Sequence, residues 1–158
     1  MTLTDRQIEF ASQMMLFRDH CISEVFPVKI YSYIRTLDEQ ARLFRQGRSL
    51  AQIQARAETL DYDLERPDLA SILMGVGPQS GDRIVTSAAP GQSLHNYGLA
   101  FDCVPLQMDR AVWNDNLLWE RIGKIAKLYL MDWGGDWVTM RDKPHCQLSG
   151  ISWRDVIT

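Results

Sequence analysis

Apolar positions recur at helical spacing near the start of the chain. Phe10, Met14, Phe17 and Cys21 fall on one stripe, which predicts an amphipathic helix from Ile8 to about His20. Thr4 is a fair N-cap, with Gln7 three residues on in capping-box spacing. After Pro27 the pattern changes. The run Val28-Lys29-Ile30-Tyr31-Ser32-Tyr33-Ile34 is rich in β-branched and aromatic residues and reads as a strand. Thr36 then caps a second helix, with Glu39 in capping-box position and Leu37, Ala41 and Phe44 on its buried face. Gly47 ends it. Ser49 caps a third helix through about Leu60.

From Asp61 to Gly81 periodicity weakens and Pro67, Gly75, Gly77, Pro78 and Gly81 accumulate. Most of this stretch reads as loop, with a short helix over Pro67–Met74, where Pro67 suits the first helical position. Arg83-Ile84-Val85-Thr86 reads as a short strand. Leu99 to Val104 reads as another, apolar on both faces and so central, with Pro105 ending it. Trp113 to Tyr129 carries the clearest helical stripe, Leu118, Ile122, Ile125 and Tyr129, with Glu120, Arg121, Lys124 and Lys127 largely off it. Gly134-Gly135 is a turn. Trp137-Val138-Thr139 begins a strand and Cys146-Gln147-Leu148 makes another. The mixture predicts an α+β domain in which helices pack on a small antiparallel sheet.

At 158 residues the chain has the size of one domain, and 46% hydrophobic with 23% charged residues is ordinary for a globular protein. A single domain over 1–158, without a separate second module, is the expectation. The net charge of -3 argues against a nucleic-acid binder, which usually shows a basic face. The three cysteines, Cys21, Cys103 and Cys146, are odd in number and form no CxxC pair, so reduced thiols are expected. The N-terminus lacks a basic region followed by an apolar run, so no signal peptide is expected. No segment approaches the ~18 apolar residues of a membrane span.

The chain has only three histidines, and two lie in motifs with metal-ligand chemistry. One is Ser93-Leu94-His95-Asn96-Tyr97-Gly98-Leu99-Ala100-Phe101-Asp102. The other is Trp133-Gly134-Gly135-Asp136-Trp137 followed by Asp142-Lys143-Pro144-His145. Two imidazoles and one carboxylate, His95, Asp102 and His145, suit Zn2+ and leave a fourth position for water, as in catalytic sites. Asp142, three residues before His145, has the chemistry of a general base on metal-bound water. It is equally suited to orienting a ligating imidazole from outside the metal's contact sphere. Cys103 and Cys146 are rival ligands by chemistry. Each directly follows a proposed ligand, points the other way in an extended segment, and is read as a packing residue. His20 has no ligand-like motif around it.

These segments resemble the zinc-dependent peptidoglycan peptidases of the D-alanyl-D-alanine carboxypeptidase/L-alanyl-D-glutamate endopeptidase group (VanY-like peptidases), which includes phage endolysins. The resemblance rests on Ser-x-His-x-x-Gly-x-Ala-x-Asp at Ser93–Asp102, Trp-Gly-Gly-x-Trp at Trp133–Trp137 and Asp-x-x-His at Asp142–His145. A looser match is Arg35-Thr36-Leu37-Asp38-Glu39-Gln40 with Ala41 to Gly47. Together they span roughly residues 27 to 148. The resemblance implies zinc on His95, Asp102 and His145, and Asp142 as catalytic acid/base. It implies that Arg35 lines the site to hold the scissile carbonyl or a peptide carboxylate. Gln40 then supports that region and Ser93 contacts the substrate backbone. Trp133 and Trp137 are read mostly as core. The implied fold is a small α+β domain of the Hedgehog/DD-peptidase type, with an antiparallel sheet carrying the metal. Cys146 departs from the pattern, since an aromatic residue commonly follows the metal histidine.

The resemblance implies a zinc peptidoglycan hydrolase that cuts the L-alanyl–D-glutamate bond of the stem peptide, as a phage endolysin. The alternatives are a D-alanyl-D-alanine carboxypeptidase or dipeptidase, and a non-catalytic zinc-containing wall-binding domain. The expected partner is bacterial peptidoglycan, with neither nucleic acid nor stable membrane insertion. The expected state is a monomer made in the host cytoplasm that reaches the wall through a separate membrane lesion.

Overall fold

The computed structural model describes residues 1–24, 26–77 and 81–157. The chain divides into two compact units. One is Met1–Ile34 with Tyr97–Ser152, and the other is Arg35–Asn96 with the C-terminal segment from Trp153.

The first unit holds the sheet. Strands β1 (Val28–Ser32), β2 (Ala100–Gln107), β3 (Arg110–Ala111), β4 (Met131–Trp133) and β5 (His145–Leu148) lie in the order β1-β2-β5-β4, with β3 paired to β2. All of the pairings are antiparallel. This is the α+β arrangement the sequence predicts. β2 is buried on both faces along most of its length, as its unbroken apolar run requires. Pro105 does not end the strand. It lies opposite Val28, gives its carbonyl to Val112 at 2.9 Å, and lets the ladder resume where Leu106 N–H meets the Pro27 carbonyl at 2.7 Å.

Helix α1 (Leu3–Ser23) covers one face of the sheet. Phe10 and Phe17 place their rings 5.9 and 5.4 Å from that of Phe101, and all three are fully buried. The helix starts earlier than Thr4. Thr2 is the cap, and Asp5 completes the box in both directions. A carboxylate in the first turn also meets the positive end of the helix dipole, which an amide does not. Gln7 instead donates to the Tyr97 carbonyl at 2.8 Å. The long C-terminal helix, numbered α5 in chain order, runs Asn116–Leu128 because the Asp115 carboxylate takes the Leu117 and Leu118 N–H groups. The expected strand at Trp137–Thr139 is absent. Val138 is almost wholly exposed there, and the strand forms instead before the glycines, at Met131–Trp133.

The second unit is helical. Helices α2 (Leu37–Arg45), α3 (Leu50–Glu58) and α4 (Pro67–Gly75) pack around Ala41, Phe44, Ile53, Leu60, Leu69 and Leu73. Thr36–Glu39 and Ser49–Gln52 form capping boxes, and Pro67 takes the first helical position. A π turn at Thr59–Asp63 leads out of α3, so the stretch from Asp61 is more ordered than its composition suggests. Pro78 falls outside the described residues. Arg83–Thr86 is not a strand: among the described residues this unit holds none to pair with it. Among the described residues no helix is long and apolar enough to cross a membrane.

Candidate metal centre

Asp102 on β2 and His145 on β5 stand directly opposite one another. The backbone bond from Cys103 N–H to the Pro144 carbonyl, 3.0 Å, brackets them. They therefore form a non-hydrogen-bonded pair, the kind in which facing side chains approach most closely. Asp102 Oδ1 lies 3.4 Å from His145 Nδ1. Two donors about 2.0–2.1 Å from one tetrahedral zinc stand roughly 3.3 Å apart, so this edge already has the right length.

His95 belongs to the short 3-10 helix Leu94–Tyr97. The division between the units falls inside that helix, so His95 is two residues from the sheet-bearing unit. One ligand atom from each of His95, Asp102 and His145 lies within 4.8 Å of the other two, and all three residues are buried. Nitrogen, nitrogen and carboxylate oxygen, buried and convergent, form a donor set compatible with zinc. Among the described residues the buried polar or charged side chains are these three plus Gln40 and Gln92. The two glutamines hold the stretch that leads to His95.

That stretch is irregular backbone tied down by side chains. Arg48 donates to the Thr86 carbonyl at 2.7 Å and to the Phe44 carbonyl, with its guanidinium over the Phe44 ring. Gln40 Nε2 donates to the Ala88 carbonyl at 2.7 Å. Gln92 Oε1 accepts from Arg56 at 2.7 Å. Arg35 is built into the same region. Its N–H donates to the His95 carbonyl at 3.1 Å, its carbonyl accepts from Asn96 Nδ2 at 2.9 Å, and its guanidinium donates to Gln40 Oε1 at 2.9 Å. Asn96 Oδ1 meanwhile accepts the Gly91 N–H at 3.0 Å. Gln40 is fully buried, and its amide is engaged by Arg35 and Ala88. Ser93 is half-buried two residues before His95, and its carbonyl accepts the Asn96 N–H at 3.0 Å.

Asp142 opens the turn that delivers His145, whose N–H donates to the Asp142 carbonyl at 3.1 Å. Asp142 N–H donates in turn to the Gly134 carbonyl at 3.0 Å. A Cβ on Gly134 would overlap the Asp142 carbonyl oxygen, so that position needs glycine. Trp133 is buried with its ring where side chains on Gly123 and Gly135 would sit, and its indole N–H donates to the Lys143 carbonyl at 2.7 Å. It is a core residue that also pins the turn. Trp137 is only half-buried, and its ring lies 5.0 Å from that of His145, so it packs on a ligand rather than in the core. Spacing along the chain carries no sign of the Asn96, Gln92 and Trp133 contacts, which join residues far apart in sequence.

Cys103 and Cys146 are fully buried on the opposite side of their strands from Asp102 and His145. The hydrogen bond with Cys146, and then burial, push the Cys103 thiol well above its usual range, and burial pushes Cys21 up to about 12. Thiols held protonated in this way are poor ligands and nucleophiles. His20 lies 3.0 Å from the Tyr129 hydroxyl and is not part of the triad.

Residues 86–148 match the family model described as D-alanyl-D-alanine carboxypeptidase. The chain is 38% identical over 74 residues to the peptidoglycan L-alanyl-D-glutamate endopeptidase CwlK of Bacillus subtilis (strain 168). That match covers 41% of this chain and 44% of CwlK, so the chain spans less than half the length of this curated relative. The vancomycin-resistance D,D-pentapeptidase VanY of a VanB-type cassette, solved with Zn(II), superposes with a TM-score of 0.53 at 15% identity, over 91% of this chain and 72% of VanY. The L,D-carboxypeptidase DacB of Streptococcus pneumonia gives 0.52 at 17% identity, over 95% of this chain and 70% of DacB. At these identities the two structures are likenesses of fold. The matched segment holds all three residues of the buried donor set, and over that segment the chain is similar to the family described as D-alanyl-D-alanine carboxypeptidase.

Proposed function

We propose that this protein hydrolyses an amide bond in the stem peptide of bacterial peptidoglycan, with L-alanyl–D-glutamate as the bond cut. The observation that carries the reading is the buried convergence of His95, Asp102 and His145. Three protein ligands leave one position for water, the mark of a catalytic rather than a structural site. The choice of bond is supported by the similarity to CwlK, a peptidoglycan L-alanyl-D-glutamate endopeptidase. The description of the matched family model favours the second reading, a D-alanyl-D-alanine carboxypeptidase.

Zinc bound here would supply Lewis acidity, lowering the pKa of water toward ~7 and polarising the scissile carbonyl. The chain's own groups do the rest. Asp142 takes the proton of the attacking water and returns it to the departing amine. Arg35, anchored through its backbone to His95 and Asn96, presents positive charge to the developing oxyanion or to a substrate carboxylate. Gln40 holds the Arg35 guanidinium. Ser93 meets the substrate backbone beside His95. In this reading the protein acts as a monomeric lysin that reaches the wall through a separately made membrane lesion.

Digestion of purified wall, with the product masses measured, tests the reading. Expected products carry a new L-alanine carboxyl terminus and a new D-glutamate amino terminus, and a chelator abolishes them. Loss of terminal D-alanine alone moves the assignment to the carboxypeptidase. Asp142→Asn should lower the rate by about 10²–10⁴-fold while zinc stays bound. A wild type that binds zinc and cleaves nothing would make this a non-catalytic wall-binding domain.

A further inference from the structure

The His145 ring is held at both nitrogens. Nδ1 faces Asp102 Oδ1 at 3.4 Å, and Nε2 faces Gln147 Oε1 at 3.1 Å. Gln147 lies two residues along β5 from His145 and so shares its face of the sheet. The face of the ring packs on Trp137. An amide oxygen can only accept a hydrogen bond, so the contact of Gln147 Oε1 with Nε2 favours the tautomer that carries its proton on Nε2. A neutral imidazole carries one such proton, which leaves the Nδ1 lone pair directed at the Asp102 carboxylate. Two acceptors facing each other at that distance are what a cation between them needs.

We propose that Gln147 is the positioning residue of the metal centre. It fixes His145 in the Nε2–H tautomer and aims the Nδ1 lone pair at the ion before the ion arrives. The inference rests on the zinc reading of the triad and assigns a role that none of the three sequence motifs contains. Gln147 touches no substrate; it acts through His145. Partners of this kind typically change metal affinity by about 10–100-fold.

Two measurements test it without any turnover. The first is the ¹⁵N spectrum of the His145 ring in metal-free protein, taken where the imidazole is neutral. Wild type should show a protonated Nε2 and a bare Nδ1. A protonated Nδ1 overturns the proposal. The second is zinc affinity by competition with a chromophoric chelator, for wild type, Gln147→Leu and Gln147→Glu. Gln147→Leu keeps similar bulk without an acceptor and should bind about 10–100-fold more weakly. Gln147→Glu restores an acceptor oxygen and should bind at least as tightly as wild type. Equal affinity in wild type and Gln147→Leu removes the role of Gln147 and leaves the metal centre standing. A wild type that binds no zinc overturns the metal centre itself.

Discussion

The two histidines of the triad are held by opposite means. His145 sits on a strand, opposite Asp102, and the backbone ladder alone sets the distance between their side chains. His95 sits at the end of an irregular stretch whose carbonyls are caught one by one by the side chains of Arg48 and Gln40 and by the backbone N–H of Arg35. The ladder needs no special side chains, because register carries the geometry. The tethered stretch needs several, some of them buried, because its backbone groups find no strand or helix to satisfy them. The spacing of two ligands on a sheet therefore depends on register rather than on their neighbours' side chains, and its weak point is the turn that sets the register. A ligand on a tethered stretch depends on each tether.

Removing a ligand has the largest effect. His145→Ala or Asp102→Ala should weaken zinc binding by more than the ~100-fold upper range for an outer partner, read by chelator competition. The next change tests the turn. Gly134→Ala forces a methyl group against the Asp142 carbonyl. It should lower stability by about 1–3 kcal/mol, the usual range for overpacking, and weaken zinc binding with it. Urea unfolding and zinc titration read the two together, and a Gly134→Ala protein with wild-type values in both would show that the turn does not set His145.

The matching change on the other side is Gln40→Met. It leaves the Ala88 carbonyl and the Arg35 guanidinium each short of a partner. A fully buried group that loses its partner costs about 1–3 kcal/mol; both residues here are half-buried, so the loss falls at or below the lower end of that range. If the two regions differ as described, Gln40→Met should also raise the hydrogen exchange of residues 86–96, while β2 and β5 exchange as in wild type. Loosening of the strands instead would erase the distinction.

The smallest effect is at the cap of α2. Thr36→Ala should cost about 1 kcal/mol. Hydrogen bonds from the Thr36 backbone and side chain hold the Glu39 carboxyl below its usual pKa. A depressed carboxylate stabilises the fold above its unfolded pKa, and that contribution is lost as pH falls through the lower folded value. The stability difference between wild type and Glu39→Ala should therefore shrink as the solution is acidified below about pH 4.3.

Much of this was legible along the chain. The capping box at Thr36, the cap at Ser49, the stripe of the long helix and the apolar run of β2 rest on local chemistry, and local chemistry is written in neighbouring residues. The misreadings arose where tertiary contacts decide. Arg83–Thr86 has strand-like residues but, among the described residues of its unit, no strand to pair with, Val138 is apolar yet faces solvent, and Pro105 is carried by a ladder that forms on both sides of it. The ligands were recognisable by type and spacing. The supports were not, since Trp133 meets Lys143, Asn96 meets Arg35 and Arg56 meets Gln92 only after folding.

By itself the sequence determined which side chains can bind a metal and which segments become helix or central strand, because donor chemistry, capping and periodicity are properties of the chain. Only the tertiary structure decided that Asp102 and His145 face each other at 3.4 Å, that Cys103 and Cys146 turn away, and that one histidine rests on a ladder and the other on tethers. Register, burial and the pairing of distant polar groups follow from packing the whole chain, and no window of neighbouring residues contains them.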